Sequence, residues 1–243
     1  MADFQYARGG QIGASADMSV DAGLRGFMLG VYNKMALGLV LSAVLAFVAA
    51  TVEPVRNVVF TAPLYYVIAF APIVILLGSS FFMRNPSPAA SGFIYWSVVS
   101  LIGLSMGMLM MMYGARPDGM TLIAKAFFVT AAAFGGLSLW GYTTKRDLSG
   151  FGSFLVMGLI GLIIASIVQI FLQSDMMSFI ISCVGVLIFS GLTAYDTQRL
   201  KHTYYALGGD ERSMAVATNY GALSLYLNFI NLFQFILSLM SRD

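Results

Sequence analysis

Charge is what this sequence has least of. Only 10% of its 243 residues are Asp, Glu, Lys or Arg, against about 25% in ordinary soluble domains. Cysteine and histidine occur once each, as Cys183 and His202. A single cysteine excludes an intrachain disulfide, and one of each excludes a zinc site of the usual His/Cys type. The formal net charge of +2 is too small to mark nucleic acid as a partner. Residues 1–27 carry Asp3, Arg8, Asp17, Asp21 and Arg25 and lack the basic, then apolar, then small order of a cleaved signal peptide. They read as a cytosolic tail, largely disordered, in front of a membrane domain over 28–243.

What is abundant is apolar surface. Residues of the AVILMFWYC set make up 59% of the chain, and the mean hydropathy is +0.84. In water such a chain has too little polar surface to cover its outside, so its solvent is lipid. A helix needs about 20 predominantly apolar residues to cross a hydrocarbon core about 30 Å thick. Seven runs qualify, near 28–51, 62–83, 89–113, 119–141, 151–173, 176–198 and 214–240. They are continuous and rich in Leu, Ala, Gly and Met, without the short alternation of a strand-built barrel. The expected fold is all-α, a bundle of seven transmembrane helices.

Basic residues set the expected orientation, because short positively charged loops stay on the cytosolic side. Arg8, Arg25, Lys34, Arg84, Lys145, Arg146, Arg199, Lys201 and Arg212 fall on one side. The other side holds Arg56, Arg116 and Arg242. An N-terminus in the cytosol and a C-terminus outside follow.

Few ionisable groups lie inside the runs. Lys125, about six residues from the outer end of the fourth run, can snorkel outward along its own stem. Asp196, near the cytosolic end of the sixth run, cannot reach so far. One reading makes it a helix-end carboxylate paired with Arg199, or with Arg84 across a loop. The other makes it a charge lining an ion or proton path. The seventh run adds a stripe: at about 100° per residue, Tyr220, Ser224, Asn228, Asn231 and Ser238 fall within roughly 80° of arc. Facing lipid, that stripe would leave hydrogen bonds unmet, so the last helix is expected to be central, surrounded by the others. Interhelical glue and a wet conduit both fit such a stripe. Asn228 is a plausible neighbour of Asp196.

Four other patterns carry no chemistry. Gly103-Leu104-Ser105-Met106-Gly107 fits a nucleophile elbow, but it lies mid-helix with no histidine nearby; as G-x-x-x-G it is a close-packing motif. Met106, Met108, Met110, Met111 and Met112 read as adaptable apolar packing rather than a Cu(I) site. An intramembrane aspartyl protease needs a second carboxylate, and a retinal protein needs a lysine on the last helix. Neither is present, and no enzymatic activity is expected.

Ala194-Tyr195-Asp196-Thr197-Gln198, followed by Ala222-Leu223-Ser224-Leu225-Tyr226-Leu227-Asn228-Phe229-Ile230-Asn231-Leu232-Phe233, resembles the Bax inhibitor-1 (transmembrane Bax inhibitor motif) family. The stretches Gly141-Tyr142-Thr143-Thr144-Lys145-Arg146-Asp147-Leu148-Ser149 and Phe82-Met83-Arg84 agree with it. The resemblance implies a bacterial cytoplasmic-membrane protein with seven helices and the last of them central. It also implies a calcium leak gated by pH. In that scheme two aspartates, on helices six and seven, share a proton, and an arginine ending helix two latches the first of them. Carried over, these positions are Asp196, Asn228 and Arg84, so the second aspartate is an asparagine here.

Asparagine removes the like charge that couples such a pair, so weakened or displaced pH gating is expected. One carboxylate with amide and hydroxyl oxygens makes a weak, transient Ca2+ site, since the ion prefers about six to eight oxygens; weak binding suits passage. No other cofactor is expected. The competing reading, also implied by the resemblance, is a non-transporting modulator of a membrane-bound AAA protease. There Asp196, Asn228 and Arg84 are braces and the N-terminal tail is the contact.

Overall fold

The computed structural model describes the backbone of residues 10–242 except residue 84, and side chains from residue 22 onward. Eight helices account for nearly all of it: α1 (Gly10–Thr51), α2 (Glu53–Val59), α3 (Leu64–Phe82), α4 (Pro88–Gly114), α5 (Gly119–Thr143), α6 (Ser149–Leu172), α7 (Asp175–Leu207) and α8 (Glu211–Met240). Seven of these are long and apolar enough to cross a membrane, all but α2. In hydrocarbon every backbone N–H and C=O must be satisfied within the protein, which a helix does locally.

Three boundaries differ from the sequence reading, each for a reason that hydropathy does not see. α1 begins at Gly10 rather than near residue 28. Its 42 residues reach about 63 Å at 1.5 Å each, roughly twice the hydrocarbon thickness. α7 continues past residue 198 to Leu207, where the sequence has already turned polar. It stops at Gly208, in the left-handed region with φ 58°, where glycine carries no Cβ penalty. The short α2 occupies what reads as a loop; Pro54 in its first turn and Glu53 beside the positive end of its dipole are helix-start signals.

α8 packs against α7, α1, α5 and α4. It is the most enclosed of the spans, with 56% of its apolar window buried against 33% or less in the others. α6 packs on α7 and α3 on α4, at the edge of the bundle. Glycine sets the α1–α4 contact: a Cβ at Gly103 would lie 2.7 Å from Ser42 Cα, and one at Gly107 would lie 2.9 Å from Ala49 Cβ. G-x-x-x-G is thus the seam between two helices. Gly103→Val is expected to force α1 and α4 apart and to destabilise the fold by about 1–3 kcal/mol, the usual range for overpacking. A lowered unfolding temperature in detergent checks this; an unchanged one would show that the seam yields.

Helix ends are capped by local side chains. Asp210 accepts from Ser213 N–H at 2.9 Å and opens α8. Hydrogen bonds from the Ser213 hydroxyl and N–H hold its carboxyl below the usual carboxylate range. Because the folded value is depressed, the stability this gives is present above about pH 4 and is lost as pH falls through the lowered value. Asp210→Asn keeps a capping side chain and removes that titration. Its unfolding temperature is expected to fall less than that of the native chain on acidification below pH ~4; parallel curves would contradict this.

Candidate functional site

Near its polar end α7 buries four polar residues: Thr193, Asp196, Thr197 and Gln198. The Asp196 carboxylate, 5% exposed, is held from two helices. Its Oδ2 accepts from Ser224 Oγ at 2.6 Å and from Asn228 Nδ2 at 2.8 Å, both on α8. Its Oδ1 lies 3.3 Å from Arg199 Nη2, one turn along α7. That is the only ion pair among the described residues, and Arg199 is half-exposed. An acceptor-only carboxylate meets three donors here, which is the pairing a buried charge requires.

α7 and α8 run antiparallel, so Asp196, about three helical turns before the end of α7 at Leu207, comes level with the middle of α8. Ser224 and Asn228 sit four residues apart on α8 and therefore point the same way. The close approach is permitted nearby by Gly141 of α5, whose absent Cβ would strike the Ala194 carbonyl two residues before Asp196.

The stripe on α8 does not act as a unit. Ser224 and Asn228 bind Asp196, and with Asn231 they line a cavity of about 490 Å³ between α6, α7 and α8. Asn231 Nδ2 turns back to the Leu227 carbonyl at 2.8 Å. Asn231 also lines a second cavity, of about 330 Å³, between α3, α4 and α8, beside Ser105 and Gln234. Ser238 instead contacts Ser182 Oγ at 3.0 Å. Tyr220 is half-buried and makes none of these bonds. Arg84, the other basic residue expected near Asp196, lies outside the described residues. Lys125 is exposed on α5.

Three polar groups around the site were not anticipated. Gln198 braces α7 to the α5–α6 connection: Oε1 accepts from Leu148 N–H at 2.8 Å and Nε2 donates to the Arg146 carbonyl at 2.7 Å. Tyr32 of α1 brings its hydroxyl to 3.4 Å from Thr197 Oγ1. Lys34 donates to Asn219 Oδ1, and Asn219 Nδ2 donates to Ser91 Oγ at 2.7 Å and the Pro88 carbonyl at 3.1 Å. The ammonium also sits over the Tyr95 and Trp96 rings, 5.4 and 5.9 Å from their centroids. Lys34 offered no signal because it lies near the start of the first apolar run, where a basic side chain can reach the interface; Gln198 did, as a polar residue ending an apolar run. Among the described residues, no three His, Cys, Asp or Glu side chains gather in a metal-binding group.

A polytopic helical membrane protein with a buried carboxylate shared between its last two helices is what the fold and site define. The family model for the inhibitor of apoptosis-promoting Bax1 matches residues 24–243, and the chain belongs to the Bax inhibitor-1 family. It is 62% identical to an uncharacterized protein of Caulobacter vibrioides, over 92% of this chain and 91% of that one. It is 40% identical to an uncharacterized protein of Rickettsia prowazekii, over 94% of both chains. It is also 38% identical to the inner membrane protein YbhL of Escherichia coli K12, over 91% of this chain and 93% of that one.

Proposed function

We propose that this chain is a calcium-permeable leak of the bacterial inner membrane, with Asp196 as the group that attracts the cation and holds the path shut at rest. The observation that carries the reading is the double hydrogen bond from Ser224 and Asn228 to a buried carboxylate whose donors also line a cavity. Ser166, Ser224, Asn228 and Asn231 give that otherwise apolar cavity one polar edge, and the carboxylate lies directly behind it. The carboxylate oxygens, the Ser224 hydroxyl and the Asn228 amide oxygen offer a cation a few ligands, well short of a full calcium shell. Such a site binds weakly enough to release its ion.

In this scheme the α8 donors and the ion compete for Asp196. While Ser224 and Asn228 occupy the carboxylate, α7 and α8 are tied together; an arriving cation replaces them and loosens the tie. Asn228 supplies no second titrating carboxylate, so the response to pH is flatter than in a two-aspartate relative. The basic end of the bundle faces the cytosol, by the asymmetry of Lys and Arg. No step forms or breaks a covalent bond.

Calcium entry into liposomes carrying a trapped calcium dye tests the reading. The native chain is expected to admit Ca2+ faster than protein-free vesicles near neutral pH. No entry by folded protein at any pH would sink it and favour the protease-modulator reading.

A further inference from the structure

α1 and α5 both pack on α8 but scarcely on each other. Two cavities fill the gap between them. The larger, about 630 Å³, lies toward the basic end and is lined by Arg25 and Tyr32 of α1 and by Gly135, Ser138 and Tyr142 of α5. The smaller, about 360 Å³, continues toward the other end past Ser42 and Phe127. Phe229 of α8 lines both.

We propose that the larger cavity is a site for one acyl chain of an anionic phospholipid, taken from the leaflet at the basic end. The inference is independent of the calcium reading. Three observations support it. First, the cavity is an apolar groove open to the bilayer. From Ala131 to Tyr142 it follows α5 for about 16 Å at 1.5 Å per residue, and Met28, Leu29, Met35, Ala131, Phe134 and Leu139 line it. A hydrocarbon chain entering from the surrounding leaflet meets the apolar surface it requires.

Second, the mouth is basic. Arg25 is exposed beside the cavity. Lys201 of α7 reaches the Tyr142 carbonyl at 3.4 Å and sits 5.6 Å from the centroid of its ring. Neither pairs with a described carboxylate, so both remain for a phosphate, which Arg holds in bidentate fashion and Lys as a point charge.

Third, Ser138 lines the cavity with a buried hydroxyl, the residue being 6% exposed, that has no hydrogen-bond partner. Two other hydroxyls on α5 turn back to the carbonyl four residues earlier, Thr130 to Ala126 at 2.7 Å and Thr143 to Leu139 at 2.8 Å. Ser138 is one turn below Tyr142, the depth at which the glycerol ester carbonyls of a lipid lie beneath its headgroup. Rotation about χ1 would bring that hydroxyl to the cavity wall, where an ester carbonyl accepts its hydrogen bond.

The test uses the full chain, stripped of lipid in mild detergent and titrated with phosphatidylglycerol or with phosphatidylcholine of the same chains. Native mass spectrometry counts the lipids retained. Gly135→Phe fills the cavity, since a Cβ at Gly135 meets nothing within 4 Å. Gly136→Phe is the control: its Cβ is equally unobstructed, but it does not line the cavity. The native chain and Gly136→Phe are expected to retain one phosphatidylglycerol that Gly135→Phe binds at least tenfold more weakly. Combining Arg25→Gln with Lys201→Gln should reduce the affinity for phosphatidylglycerol to that for phosphatidylcholine. Equal binding by Gly135→Phe and Gly136→Phe would overturn the site. Equal affinity of the native chain for the two lipids would overturn the anionic headgroup.

Discussion

Asn228→Asp is expected to make calcium flux steeply dependent on pH, where flux through the native chain varies little. In the native chain Asn228 Nδ2 donates to Asp196 Oδ2 at 2.8 Å. Aspartate at 228 replaces that donor with a second carboxylate at the same contact. Two unit charges about 4 Å apart repel by about 4 kcal/mol at an effective dielectric constant near 20, too much to leave both ionised in a buried site. The pair must share a proton and titrate as one unit. At low pH the shared proton restores a hydrogen bond between α7 and α8. At high pH its loss drives the helices apart. Calcium entry measured across the neutral range for both proteins checks this, and superimposable pH profiles would contradict it.

Asp196→Asn is expected to reduce calcium entry at least tenfold while leaving the fold in place. A divalent ion about 4 Å from a unit charge gains about 8 kcal/mol at the same effective dielectric constant, and an amide offers only a dipole. Desolvation of the ion offsets most of that gain, so tenfold is a lower bound. The amide oxygen can still accept from Ser224 and Asn228, which preserves the tie between the helices. Arg199 loses its ion pair, but it is half-exposed, so its release costs little. A matched elution volume and unfolding temperature would separate lost attraction from lost structure.

Much of this arrangement is legible in the sequence, for reasons that differ by element. The seven spans follow from hydropathy because lipid contact and apolar composition are the same requirement. That Gly103 and Gly107 mark a helix seam follows from their four-residue spacing. Asp196 stands out because a carboxylate in an apolar run must find partners, and the arc on α8 places Ser224 and Asn228 on one face.

The rest depends on what hydropathy cannot measure. The final turns of α7 and the first turns of α1 are polar helix. Their ends are set by a glycine cap in one case and by no apolar signal in the other. Lys34 finds its partner Asn219 185 residues away. The stripe on α8 looks uniform on a helical wheel, yet it divides in space: Ser224 and Asn228 serve Asp196, Ser238 serves Ser182, and Asn231 faces two cavities. A helical wheel fixes direction around one axis, and the neighbours that each residue meets depend on where the other helices cross.

The initial rate of calcium entry into liposomes holding equal amounts of folded native protein or Asp196→Asn tests the central claim most directly. Entry by the native chain that falls at least tenfold in the variant would establish the Asp196 carboxylate as the group that draws the ion. Equal rates would contradict it and leave Asp196 as a brace between α7 and α8.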